Sequence, residues 1–171
     1  GVLSYTFRHF TFFEAVDKAK ALGLSYIGGY AGQEIGGGID GKMSIDLDAE
    51  TQKKISDYLD SKGVKLIDFG VITPKNDEDW HKLFVFAKAM GIPTIVSEPH
   101  PNDLAKVVAL GDEFDINIAI HNHPSPSLYA HPDTMLQVIQ QHSKRLGVCA
   151  DVGHWIRSGF DPVESLRKME G

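Results

Sequence analysis

In the stretch Ile116-Asn117-Ile118-Ala119-Ile120-His121-Asn122-His123-Pro124, isoleucines alternate with small or polar residues. Side chains two apart on a strand share a face, so the isoleucines suit packing against helices, while Asn117, Ala119, His121 and His123 face the other way. The strand therefore delivers two imidazoles to its carboxyl end. The next apolar run repeats the pattern, with Val148 and Ala150 on one face and Gly147, Cys149 and Asp151 on the other. The preceding run ends in Ser97-Glu98-Pro99-His100, and the following one closes with Asp151-Val152-Gly153-His154. Three consecutive strand ends thus carry Glu98, His100, His121, His123, Asp151 and His154 toward one edge.

Working outward, six apolar runs read as strands: Val2 to Phe7, Ser25 to Tyr30, Lys65 to Val71, Thr94 to Glu98, Asn117 to His121 and Gly147 to Asp151. Helical periodicity lies between them. Thr11-Phe12-Phe13-Glu14 has the form of a capping box and opens a helix over about 12 to 22. Further helices are expected over Ala49 to Ser61, Glu78 to Met90, Pro101 to Phe114, Pro132 to Leu146 and from Pro162 onward. Gly23, Gly63 and Gly91 stand where left-handed caps would end three of them. Strands alternating with helices predict an α/β fold with a parallel sheet. Polar residues at successive strand ends favour a (β/α)8 barrel over a doubly wound sheet, whose chemistry gathers at one switch point. Gly36-Gly37-Gly38 fits neither a P-loop nor a dinucleotide fingerprint and reads as a flexible loop. No linker divides the chain, so residues 1–171 read as one domain.

The composition is that of a globular protein, with 42% hydrophobic and 23% charged residues in 171. Seventeen Lys and Arg against 23 Asp and Glu leave a net charge of -6, which repels a phosphate backbone, so no nucleic-acid partner is expected. No apolar stretch approaches the roughly 20 residues of a membrane span. A single cysteine, Cys149, permits no internal disulfide and leaves the compartment open. The chain opens at Gly1 directly into an apolar segment, and its last helix stops at Gly171. Both ends are therefore expected to be truncations. Sheet edges left unpaired by such truncation would invite homo-oligomerisation.

Neutral imidazole nitrogen and carboxylate oxygen together suit a divalent ion such as Mn, Zn, Co, Fe or Mg. A lone histidine at a strand end is usually structural; it is the concentration on three strand ends that points to a site. His9, His81, His131 and His142 read as surface residues, Cys149 as small core filler, and Trp80, Phe84 and Phe86 as core. Arg157 and Lys75 are loop cations able to pair with a phosphate.

The segment Cys149-Ala150-Asp151-Val152-Gly153-His154-Trp155, followed by Arg157-Ser158-Gly159, resembles the strand-six segment of the xylose isomerase-like TIM barrels, the sugar phosphate isomerase/epimerase group. Ile118 to Pro124, Ser4-Tyr5-Thr6-Phe7 and Ala21 to Ile27 are similar to its fifth, first and second strands. The resemblance implies a (β/α)8 barrel, here an incomplete one of about six βα units with strands seven and eight missing, since such barrels take about 250 residues. It further implies one divalent metal held by His121 and Asp151, with His154 touching substrate oxygens. His121 stands where the family usually has a Glu. The implied activity is isomerisation or epimerisation of a small carbohydrate or sugar phosphate, by proton transfer next to a carbonyl through an ene-diolate. Glu98, His123 and His154 are the expected catalytic groups, and His100, His154 and Arg157 the expected substrate contacts. A keto-sugar lyase or dehydratase and a non-catalytic sugar-binding barrel are the alternatives.

Overall fold

The computed structural model of the chain describes residues 1–170. These pack as two compact units, Gly1–Ile95 and a second from Val96 onward. The first contains β1 (Val2–Leu3), α1 (Phe12–Ala21), β2 (Tyr26–Gly29), β3 (Glu34–Gly36), β4 (Ile39–Lys42), α2 (Ala49–Lys62), β5 (Lys65–Phe69) and α3 (Asp77–Ala89); the unit boundary falls inside β6 (Thr94–Ser97). β1 pairs in parallel with β2, β2 with β5 and β5 with β6. The side of the sheet toward the helices is apolar. Ile27 and Phe69 are buried there, Phe69 meets Phe86 edge-on at 5.1 Å, and Trp80, Phe84 and Phe86 are core residues as expected.

Local signals set the helix ends. Thr11 and Glu14 form both halves of a capping box, and Gly63 closes α2 at φ 62°. Two expectations for this unit need correction. Only Val2–Leu3 of the first predicted strand is extended, and Ser4–Phe7 winds into a 3-10 turn that buries Ser4 and brings Tyr5 edge-on to Tyr30 at 5.1 Å. The triple glycine is no loose loop. Gly36, Gly37 and Gly38 take φ of 87°, 63° and 81° to turn β3 into the antiparallel β4. A Cβ on Gly36 would lie 2.5 Å from the Oγ1 of the capping Thr11. Gly36→Ala is therefore expected to cost about 1–3 kcal/mol through left-handed strain and crowding, read as a lower urea midpoint.

The second unit contains α4 (Leu104–Phe114), β7 (Asn117–His121), α5 (Pro132–Gln140), β8 (Leu146–Cys149), α6 (Val152–Arg157) and α7 (Pro162–Lys168). β7 and β8 run parallel, with Ile118 opposite Leu146 and His121 opposite Cys149. Ile116, Ile118 and Ile120 are buried while Asn117 is exposed, as the alternation requires. The helix expected to reach Leu146 stops at Gln140. Beyond it, the Ser143 hydroxyl accepts the Arg145 amide and donates to Asp112, the local competition by which serine favours turns over helix. Asp151 does not extend the sixth predicted strand; it turns the chain into α6, a helix the sequence reading did not anticipate. The class is α/β, with parallel strands alternating with helices as expected. No helix among the described residues is long and apolar enough to cross a membrane.

Candidate metal centre

The second unit gathers six of the anticipated residues beside the ends of its strands. β7 places His121 on the face opposite its buried isoleucines, and β8 ends two residues before Asp151. Asp151 is the N-cap of α6. Its Oδ1 accepts the His154 backbone N–H at 2.9 Å, so the cap occupies one carboxylate oxygen and leaves the other free. That oxygen, Oδ2, lies 3.8 Å from His121 Nε2 and 3.4 Å from His154 Nε2. His121, Asp151 and His154 thus offer three ligand atoms within 4.8 Å of one another.

The donor set fits a divalent ion. Burial holds His121 below its ordinary pKa and does the same to His154. Both are therefore kept neutral, the form in which imidazole binds metal. The Nδ1 of His121 is buried with no hydrogen-bond partner, so no protein group competes to fix its tautomer. His154 is held differently. The Arg157 guanidinium, always a donor, meets its Nδ1, which must then be an acceptor and leave the ring proton on Nε2. While that contact lasts His154 is a hydrogen-bond donor facing Asp151, and its Nε2 would be able to ligate an ion only if Arg157 withdrew. His121 and Asp151 are unencumbered.

Beside this set stands a carboxylate–imidazole pair. His123 Nδ1 lies 2.6 Å from Glu98 Oε2, and Glu98 Oε1 accepts from the His123 backbone N–H at 3.3 Å and from the Ser127 hydroxyl at 2.8 Å. Burial pushes the Glu98 carboxyl up, but the bonds from Ser127 and His123 outweigh it and hold Glu98 below the usual carboxylate range. An ionised Glu98 draws the ring proton to Nδ1 and leaves Nε2 of His123 as a proton acceptor. The His123 ring centroid is 4.5 Å from that of His121 and 5.3 Å from that of His154.

Glu98, His121, His123, Asp151, His154 and Arg157 therefore come together. His100 does not: it is exposed, and its Nδ1 accepts the Asn102 amide at 3.2 Å to cap a short 3-10 turn. Three supporting residues escaped the sequence reading. Ser127 holds Glu98, and Tyr129, its phenol pushed up to about 12 by burial, donates to the Pro99 carbonyl at 2.5 Å. Asn122 is fully buried against the Asp151 backbone. Its signal was a polar residue at a helix-facing position of an otherwise apolar alternation.

No protein-family model matches the chain, and no curated protein does. Solved structures do. An uncharacterized protein from Parabacteroides distasonis ATCC 8503 is 32% identical over 98% of this chain and 69% of its own, with a TM-score of 0.86. The probable 3-DHS dehydratase AsbF, involved in petrobactin synthesis in Bacillus anthracis, is 16% identical over 98% of this chain and 68% of its own, at 0.75. A D-tagatose 3-epimerase-like protein is 16% identical over 99% and 70%, at 0.72. The last two show the fold alone. Xylose isomerase-like TIM-barrel proteins are among the further matches, one of them from Mycobacterium smegmatis in complex with magnesium. At 32% identity the chain belongs to the same family as the uncharacterized Parabacteroides distasonis protein, and the further likenesses show that it has the fold of the xylose isomerase-like TIM-barrel proteins.

Proposed function

We propose that this chain takes part in the isomerisation or epimerisation of a small carbohydrate or sugar phosphate, by moving a proton on the carbon next to a carbonyl. The observation that carries the reading is the convergence of His121, Asp151 and His154 beside a histidine whose Nδ1 is committed to Glu98. His121 and Asp151 would hold a divalent ion such as Mn, Zn, Co or Mg, with His154 as an alternate third ligand. Such an ion, when bound, polarises the substrate carbonyl and stabilises the negative charge that develops on its oxygen. His123 Nε2 takes the proton from the α-carbon and returns it to the carbonyl carbon, Glu98 steadies the imidazolium between the two steps, and the α-hydroxyl proton passes to the carbonyl oxygen, so that carbonyl and hydroxyl change places. One base on one face suits isomerisation, transfer between adjacent carbons; epimerisation returns a proton to the opposite face of the same carbon and needs a proton donor on that face. The likeness to a D-tagatose 3-epimerase-like protein supports the sugar class.

A second reading, dehydration of a keto sugar, is favoured by His154. With its proton on Nε2 and its ring 5.3 Å from that of His123, it pairs an acid with a base, as loss of water requires. The fold shared with a probable 3-DHS dehydratase is compatible with it.

Calorimetric titration with Mn2+ and Zn2+, followed by a ketose panel assayed in D2O, tests both readings. We expect binding of one ion and deuterium at the carbon beside the carbonyl; a conjugated, ultraviolet-absorbing product signals dehydration instead. Asp151→Asn is expected to weaken metal binding at least about tenfold while keeping the fold, because asparagine caps a helix as well as aspartate does but lacks the charge. Metal content unchanged in that variant removes Asp151 from the ligand set.

A further inference from the structure

Asn122 has no solvent exposure, although it stands between two histidines that point to the opposite face. Its carboxamide meets the Asp151 backbone twice: Nδ2–H donates to the Asp151 carbonyl at 2.9 Å, and Oδ1 accepts the Asp151 N–H at 2.7 Å. The paired residues of β7 and β8 end at His121 and Cys149, two residues before Asp151. A carboxamide carries the same donor and acceptor as a peptide group, so Asn122 supplies one more rung where the two backbones part.

The rung has a chemical consequence. Asp151 is gripped on both sides of its Cα, at φ -85° and ψ 94°, while its Oδ1 is held by the His154 amide. With backbone and one oxygen both fixed, Oδ2 stays aimed between His121 and His154. We propose that Asn122 is the positioning residue that holds Asp151 Oδ2 in its metal-binding place, an inference that rests on the metal reading above. Outer groups of this kind orient ligating carboxylates, and their loss typically lowers metal affinity about 10- to 100-fold. If Asn122 merely satisfied buried backbone groups, its removal would lower stability and leave metal affinity alone.

The test is Mn2+ calorimetry and thermal melting on the full chain for the wild type, Asn122→Ala, Asn122→Asp, Asp151→Asn and the double variant Asn122→Ala/Asp151→Asn. Asn122→Ala is expected to weaken Mn2+ about 10- to 100-fold. Asn122→Asp, which keeps the acceptor for the Asp151 N–H and loses the donor, should fall between it and the wild type. In the Asp151→Asn background the Asn122 change should alter affinity by less than about twofold, because a residue acting through Asp151 has nothing left to position. The melting temperature should fall in both backgrounds alike. If Asn122→Ala does not fold, Asn122→Asp carries the comparison. Both Asn122 variants binding Mn2+ as tightly as the wild type, or losses that add in full in the double variant, would overturn the positioning role while leaving the metal site intact. A wild type that binds no Mn2+ overturns both.

Discussion

On the proposed mechanism, His123→Ala is expected to lower turnover of a ketose substrate by about 10²-fold or more, the usual size of a general-base contribution, and to leave the affinity for Mn2+ unchanged. The separation follows from geometry. His123 Nδ1 is committed to Glu98 at 2.6 Å, and its atoms are outside the set of three that converge within 4.8 Å. Glu98→Gln also lowers turnover without loss of metal. A neutral amide no longer draws the ring proton to Nδ1, and Nε2 then spends part of its time protonated and unable to accept. His121→Ala is expected to behave in the opposite way, since it deletes a proposed ligand nitrogen: metal affinity should fall, and excess metal should partly restore the rate. Mn2+ titrations set beside steady-state rates for the three variants separate these roles. Full metal content and full activity in all three would make the Glu98–His123 pair structural and end the proposed mechanism.

Much of this site was legible because strand alternation is a strong signal. Ile118 and Ile120 are buried and His121 emerges opposite them, as a period of two demands. What escaped was decided by tertiary contacts or hidden in short elements. α6 has six residues and contains Gly153, too short for an apolar period and weakened by a poor helix former, so its start at Asp151 was absorbed into the preceding strand. That one residue is the helix cap and the proposed metal-binding carboxylate at once, two roles that a sequence shows as a single letter. Tyr5, Thr6 and Phe7 favour strand by propensity, yet packing of Tyr5 on Tyr30 accompanies a 3-10 turn. His100 illustrates the converse. Its place beside Glu98 suggested a shared site, but the cap on Asn102 turns it to another use.

Asp68→Asn is expected to stabilise the chain near neutral pH, the unusual direction for a substitution inside a sheet. Asp68 lies on β5 beside Gly28 of β2, and its Oδ1 is buried with no hydrogen-bond partner. Gly28 keeps that space open: a Cβ there would come 2.3 Å from Asp68 Oδ1 and 2.6 Å from Leu3 Cδ2. Burial alone pushes the carboxyl up to about 6 from an ordinary value of 3.8. Between those values the folded chain holds a proton that the unfolded chain has released, so stability falls as pH rises through the window and is level above it. At about 1.36 kcal/mol per pH unit, the ionised Asp68 costs up to about 3 kcal/mol at pH 7.5. Asparagine keeps the shape and never ionises. We expect Asp68→Asn to gain about 2–3 kcal/mol at pH 7.5, roughly 5–10 °C in melting temperature for a chain of this size, with the gain shrinking toward pH 4, where the wild-type carboxyl is protonated in the folded state. Urea unfolding of both proteins at pH 4.5, 6 and 7.5 measures it. Curves that stay parallel across that range would show that Asp68 ionises in the folded protein as freely as in the unfolded one.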